Sequence, residues 1–250
     1  MKNFIEIVAF HLKLFSRNSY FVWLMLTSTV SLLLLQYLAA YAGGTLDDPY
    51  LWRRAAVFGL WSCGTTACGS IGFQRSQGTL LYLLNNRISD QLSLAAVVIP
   101  AASFGLLPFP LAYLLGSIMG LNVSIASFLA FVGAVLALWI GAVILDLAIA
   151  GIFVLTPRAL VYEDIVTLPI LFFSGLFHLP GKWMIVEKIG HFVIPISLPI
   201  QWLTSSGRFS FVDLAAYFFS LFLWGAGSII LSRYLFREAR KSGQLGGIGL

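Results

Sequence analysis

The sequence predicts an all-α integral membrane protein with six transmembrane helices, on three observations. Hydrophobic residues make up 59% of its 250 residues and charged residues 10%, well under half the roughly 25% charge of an average soluble domain. Apolar runs long enough to cross a hydrocarbon core, at roughly 20 residues each, recur at 20–41, 53–73, 92–116, 124–156, 162–178 and 212–236. The runs are also continuous, whereas a barrel would show short alternating segments, and in lipid only helices or closed barrels satisfy the backbone.

The chain opens on a basic, helix-patterned stretch, residues 2–18. Asn3, Glu6, Lys13 and Arg17 fall on one narrow stripe, while Phe4, Ile7, Val8, Leu12, Leu14 and Phe15 cover the rest. Such a helix is expected to lie in the membrane interface before the chain turns inward. A secretory signal is the alternative, since "FVWLMLTSTVSLLLL" and the small residues of "LAAYAGG" follow, but the basic part is too long and too regular for one.

In the second span Gly59, Cys63 and Ala67, with Ser62, Thr66 and Ser70, form rows of small residues at spacing four, which lets helix backbones approach closely. Cys63 and Cys68 are five apart, so they neither face each other nor make a metal motif; they are expected to pack. Then comes "GFQRSQGTLLYLLNNRISDQ", residues 72–91, the most polar passage in the middle of the chain. Here Gly78 permits a turn and Thr79 can cap a helix start. Leu80, Leu83 and Leu84 give a compact apolar face, with Arg87 one turn beyond. A short helix of this kind is a plug for a partner's groove.

Pro100, Pro108 and Pro110 in the third span and Pro169 in the fifth predict kinks through missing backbone hydrogen bonds. In the fourth span Gly133, Ala137 and Gly141 repeat the small-residue device, and Asp146 is the only acid deep inside any span. Glu163 and Asp164, in "RALVYED", are expected at the N-terminus of the fifth helix, where acids match the helix dipole. Residues 179–204 are too apolar for free solvent yet are broken by Pro180, Gly181, Gly190, Pro195 and Pro199. Two short helices that dip into the outer leaflet and return fit this pattern, with Trp183, Trp202 and His191 at the interface; a surface-lying amphipathic hairpin is the alternative. A tail, 237–250, follows the sixth span.

Orientation follows from the basic residues. With both termini cytoplasmic, Lys2, Lys13, Arg17, Arg75, Arg87, Arg158, Arg233, Arg237, Arg240 and Lys241 lie inside, and Arg53, Arg54, Lys182, Lys188 and Arg208 lie outside. Ten against five favours that topology. Arg53 and Arg54 run against it, partly balanced by Asp47 and Asp48. The polar passage is then a cytoplasmic loop.

Catalytic motifs are missing. The sequence contains no H-E-x-x-H, G-x-S-x-G or G-x-x-x-x-G-K-[ST], and His11, His178 and His191 sit far apart, so no ATP-hydrolysing P-loop, catalytic residue or metal site is expected on this chain. His178 and His191 could meet as a metal or proton site in the outer segment, but ordinary interfacial histidines account for them as well.

Taken together, the amphipathic start, the six spans, the Gly-Thr-Leu loop after the second span and the broken outer hairpin resemble the permease subunits of ABC-2 type exporters. The resemblance covers essentially the whole chain. Its sharpest element is "RSQGTLLYLLNNRIS", with "LPILFFSGLFHLPGKW" and "IPISLPIQWL" as a second signature. It implies that residues 74–90 are a coupling segment for a separate cytoplasmic ATP-binding subunit, with Gly78, Thr79, Leu80, Leu83, Leu84 and Arg87 at the contact. It implies two permease subunits, identical or paralogous, and two ATPases that carry ATP and Mg²⁺, while this chain binds no cofactor. A bacterial inner membrane, lipid contacts and an amphipathic or lipid-like cargo (drug, lipid, peptide or glycolipid) complete the expectation; nucleic acid is not an expected partner. Leu81 stands where the family often has Glu, Asn86 where Pro is common and Gln74 where an acid is frequent, so the partner groove is expected to be more apolar than usual.

Two other classes stay open. A secondary transporter would use Asp146 for ion coupling. An integral membrane enzyme would use the cytoplasmic cluster Arg158, Tyr162, Glu163 and Asp164.

Overall fold

The computed structural model describes residues 2–80, 89–154, 156, 159–177, 184–205 and 210–241. Among them every regular element is helical, in the order α1 (Lys2–Ser16), α2 (Ser19–Gly43), α3 (Leu51–Ser76), α4 (Asp90–Ser103), α5 (Pro108–Ile118), α6 (Phe128–Phe153), α7 (Ala159–Phe173), α8 (Met184–Val193), α9 (Ser197–Thr204) and α10 (Phe211–Lys241). Local chemistry sets several of these ends. Asn18 caps α2 by accepting the Tyr20 N–H at 3.0 Å, and Ser127 caps α6 by accepting that of Ala130 at 3.4 Å, each meeting a donor the first turn leaves unpaired.

Four segments are long and apolar enough to cross a membrane: Ser19–Gly43, Asp90–Ile118, Phe128–Phe153 and Phe211–Glu238. This is a membrane protein. The two remaining expected spans differ for different reasons. Helix α3 has the length, at 26 residues, but carries too many polar side chains to be read as lipid-facing. It is surrounded by its own chain instead, with α2, α4, α5, α6, α7 and α9 packed around it. Helix α7 has only 15 residues, about 22 Å at 1.5 Å per residue, against a hydrocarbon core of about 30 Å.

The expected kink in the third span is present as a break. Pro108 has no N–H to offer the carbonyl of Phe104, so the Leu107 N–H takes it at 3.1 Å, and Phe104–Leu106 form one tighter turn between α4 and α5. Pro100 is carried inside α4, and Pro169 inside α7.

Two apolar cores occupy opposite ends of the bundle. One gathers Leu33, Trp52, Leu60, Phe109, Leu138, Ile196 and Ile200 at the end where α8 and α9 fold back. The other gathers Phe15, Phe21, Ile71, Leu80, Val97, Ile149, Phe153 and Phe236 at the end that carries α1. Outward, α2 and α10 present Trp23, Leu35, Leu38, Phe218, Phe222 and Ile230, large apolar side chains suited to lipid.

The expected pair of short helices after α7 is found as α8 and α9, with residues 178–183 outside the described set. Pro195, between them, lies so close to α6 that a Cβ on Gly141 would stand 2.8 Å from its carbonyl oxygen. Gly141 thus holds the hairpin against the bundle. Trp202 meets the Tyr217 ring at 5.8 Å, and His191 Nδ1 pairs with the Ser197 hydroxyl at 2.9 Å.

Helix α1 lies along α4 and buries His11 and Phe15 while Ile5, Phe10, Leu12 and Leu14 remain exposed. His11 Nδ1–H donates to the Ile7 carbonyl at 2.9 Å, and the ring sits among those of Phe10 and Phe15. Burial, partly opposed by that hydrogen bond, holds the imidazole below its ordinary value of 6.5. The unfolded or undocked segment therefore binds a proton more readily than the docked one. Docking of α1 is strongest above pH 6.5 and weakens as pH falls through that value toward the docked group's lower one. Hydrogen exchange of residues 2–16, followed between about pH 8 and pH 5 and corrected for intrinsic rates, should show protection declining on acidification in the wild type and staying flat in His11→Phe. Equal pH dependence in both would remove His11 as the cause.

Candidate functional site

The polar passage begins where α3 ends, and its geometry is that of a deliberate stop. Gly78 has φ +69°, a left-handed conformation that costs an L residue roughly 1–2 kcal/mol and glycine nothing. The Thr79 N–H returns to the Gln74 carbonyl at 3.0 Å and the Gly78 N–H to that of Arg75 at 2.9 Å, which together make a Schellman closure. The Thr79 hydroxyl adds to it, shared between the Gln74 carbonyl and that residue's Oε1.

Leu80 is 1% exposed and belongs to the core at the α1 end. It therefore anchors the start of the segment to its own chain. Leu83, Leu84 and Arg87 lie outside the described residues, so of the six expected coupling residues the structure positions Gly78, Thr79 and Leu80.

Arg75, counted from the sequence only toward topology, locks this corner. Its guanidinium donates to the carbonyl of Thr156 at 2.7 Å and to that of Val154. These carbonyls lie just past the last turn of α6, where helix dipoles leave partial negative charge and orphan acceptors. One cation thus joins the end of α3, from which the polar passage departs, to the end of the helix that carries Asp146.

Asp146 is buried, at 1% exposure, and its Oδ2 has no hydrogen-bond partner among the described residues. It stands against Gly64 of α3, where a Cβ would lie 3.0 Å from Oδ2. A second carboxylate, Glu163 of α7, occupies the space beside Gly69 so closely that any side chain there would clash with it. Glu163 and Asp146 are near enough to feel each other's charge, with Cys68 in range of both. Cys63 and Cys68 are free thiols and buried, as packing required.

Glu163 was expected to cap the fifth helix. That is corrected: α7 begins at Ala159, so its first turn holds no acid, and Glu163 instead faces the small-residue surface of α3. Arg158 lies outside the described residues, as does the side chain of Asp164. Among the described residues no three His, Cys, Asp or Glu side chains gather as a metal site.

At the opposite end, the α2–α3 turn and α9 enclose a cleft of about 650 Å³ whose walls include Gln36, Asp48, Arg54, Gln201 and Thr204. Arg54 pairs with Asp48 at 3.2 Å, and Arg53 donates to the carbonyls of Ser124 and Leu203. The two arginines that strained the expected topology are therefore neutralised or bound within the fold. The sequence signalled the cleft only through its scattered polar residues. No protein-family model, curated protein or solved structure matches the chain.

Losing the Arg75 lock should be costly. Arg75→Met removes hydrogen bonds from a charged donor, each contributing about 1.5–3 kcal/mol, so unfolding in detergent should shift by at least that of one bond. Gly78→Ala should cost about 1–2 kcal/mol from the left-handed strain. Denaturant titration followed by tryptophan fluorescence measures both; unchanged midpoints would show that this corner contributes nothing to holding the fold.

Proposed function

We propose that this chain is the membrane-spanning permease subunit of an ATP-driven exporter of the ABC-2 type. The observation that carries the reading is the join after α3. A left-handed glycine and a Schellman closure stop the central helix, Leu80 is buried in the core of its own chain just beyond, and Arg75 ties the same corner to the end of α6. A push on residues 81–88 by a partner would reach the centre of the bundle through two helices at once.

In this reading α3 and α7 complete a six-span bundle, both termini are cytoplasmic and α1 lies in the interface of a bacterial inner membrane. Helices α8 and α9 form a re-entrant hairpin at the outer face. Two permease subunits, identical or paralogous, enclose the path of an amphipathic cargo, and two cytoplasmic ATPases supply ATP, Mg²⁺ and the closing motion. The chain itself performs no covalent chemistry. Leu80 anchors the coupling helix, leaving Leu83 and Leu84 for the ATPase groove and Arg87 for its rim.

The test is energetic coupling. Leu84→Asp would bury an unpaired carboxylate in an apolar groove, a desolvation cost of several kcal/mol, and should abolish both ATPase pull-down and ATP-driven transport. Arg87→Glu should do less, because exposed ion pairs contribute about 0–1 kcal/mol. The isolated chain in lipid should hydrolyse no ATP. Normal pull-down and transport by a folded Leu84→Asp protein would sink the proposal.

Asp146 favours a second reading, a secondary transporter, because its Oδ2 is buried without a partner. A charge at that depth costs about 2.5–3.5 kcal/mol on insertion scales, so its retention calls for a role in structure or transport. Under the exporter reading Asp146→Asn keeps most ATP-driven transport. Complete loss, with transport driven by a proton gradient in the absence of ATP, would favour the alternative.

A further inference from the structure

The cleft between the α2–α3 turn and α9 has a wall rich in polar side chains, and the coupling argument does not use it. Its volume, about 650 Å³, falls within the roughly 300–1,000 Å³ of small-ligand sites. Four features of its wall restrict what it can hold.

The first is charge balance. Asp48 and Arg54 face the cleft together, 3.2 Å apart, and Asp48 is further fixed by the Tyr50 N–H at 2.9 Å. An anion entering the cleft would meet Asp48 beside Arg54, and a cation would meet Arg54; His191 also lines the wall, with its Nδ1 on the Ser197 hydroxyl. Neither sign gains.

The second is the kind of polar group that remains. Gln36 and Gln201 each donate and accept, as a hydroxyl does, and Thr204, whose hydroxyl donates to the Ile200 carbonyl, accepts; with Thr45, His191 and Ser205 on the same wall, the cleft matches a group bearing several hydroxyls better than a pure donor or pure acceptor. Third, Gln36 Oε1 is buried and has no hydrogen-bond partner among the described residues. An acceptor left unmet costs about as much as the bond it lacks, and a ligand's donor would recover it once the Gln36 side chain turns this shielded oxygen toward the cleft. Fourth, Leu51 and Leu176 give the cleft buried apolar wall, against which the carbon face of a ring can pack.

We propose that this cleft binds an uncharged, hydroxyl-rich group of the kind a sugar ring presents. Resting on the exporter reading, it is the outer-side subsite for the polar head of the cargo, which narrows the amphipathic class to sugar-headed molecules. The same chemistry could arrive as a free sugar or as the head of a lipid, and the experiment separates these sources.

Thr204→Cys is made in the full chain, in lipid vesicles and without any ATPase, so that the outcome is independent of whether a partner couples to residues 81–88. Cys63 and Cys68 are fully buried, so a membrane-impermeant maleimide reports on the new thiol. Labelling is followed with octyl glucoside, octyl phosphocholine or glucose, each below the concentration that disrupts the vesicles. Octyl glucoside should slow labelling about tenfold more than octyl phosphocholine at equal concentration, the factor that a difference of about 1.4 kcal/mol in binding provides. Gln36→Leu, and separately Gln201→Leu, should remove that difference while leaving the unprotected labelling rate unchanged. Protection by glucose alone assigns the site to the free sugar; protection that needs the octyl chain assigns it to a glycolipid-type head. Equal protection by both octyl compounds would mean that the chain, not the head, is recognised, and the proposal fails. It fails equally if no compound protects, if the thiol is unreactive throughout, or if the two leucine variants keep the glucoside's advantage.

Discussion

The bundle is organised around a helix that lipid would not accept. Helix α3 carries Arg53 and Arg54 near its start, Gln74 and Arg75 at its end, and Ser62, Thr65, Thr66 and Ser70 between them. The hydroxyls satisfy themselves on their own helix: Ser62 donates to Phe58, Thr66 to Ser62 and Ser70 to Ala67. The arginines cannot, so other elements supply carbonyls to Arg53 and Arg75 and the Asp48 carboxylate to Arg54. Placing α3 anywhere but at the centre would leave these groups facing hydrocarbon, where each unsatisfied one costs several kcal/mol. Its position dictates that six helices surround it, and the apolar faces of α2 and α10 are left to meet lipid.

Between apolar helices in lipid no hydrophobic force drives association, so close packing and polar contacts must hold the bundle. The small residues of α3 provide the first: Gly64 and Gly69 admit the carboxylates of α6 and α7 where larger side chains would collide. Arg53 and Arg75 provide the second. Arg53 reaches the α5–α6 loop and the end of α9, while Arg75 reaches the end of α6. Both ends of α3 are thereby joined to elements distant in sequence. A strut fixed at both ends transmits displacement from one end of the bundle to the other, the property that the proposed coupling would use.

What could be read from the sequence follows the range of the physics involved. The helical class, the turn at Gly78, the short helices after residue 183 and the close packing at Gly59 and Gly141 rest on local rules of length, backbone strain and spacing, and the structure has each of them. The break in the third span was also local, since Pro108 removes a specific donor. The partners of Arg53 and Arg75 were not legible, because carbonyls 71 and 81 residues away are brought near only by tertiary packing. Glu163 misled for a related reason. Its residue type suited a helix start, but α7 begins earlier, at Ala159, and the space beside Gly69 decided where it points. The polar cleft is assembled from α2, the α2–α3 turn and α9, and no short stretch could have announced it.

Buried polar atoms without partners are not spread evenly. Thr29 on α2, Trp52 and Arg75 on α3, Ser93 on α4, and Trp139 and Asp146 on α6 each have at least one such atom among the described residues. All lie on α3 or on helices packed against it. Each unmet group leaves the packing less favourable by about 1–3 kcal/mol than a fully paired one. A second arrangement that paired some of them would recover part of that, so the cost of shifting α3 against its neighbours is lower than in a fully satisfied core. On α3 itself the unmet atoms lie at the ends, on Trp52, Arg53 and Arg75, beside the charge-assisted bonds that Arg53, Arg54 and Arg75 make. The hydroxyls in the middle of α3 are met by its own backbone, while Thr29, Trp139 and Asp146, on the helices around it, keep unmet atoms, so a shift of α3 would change its neighbours' pairing before its own.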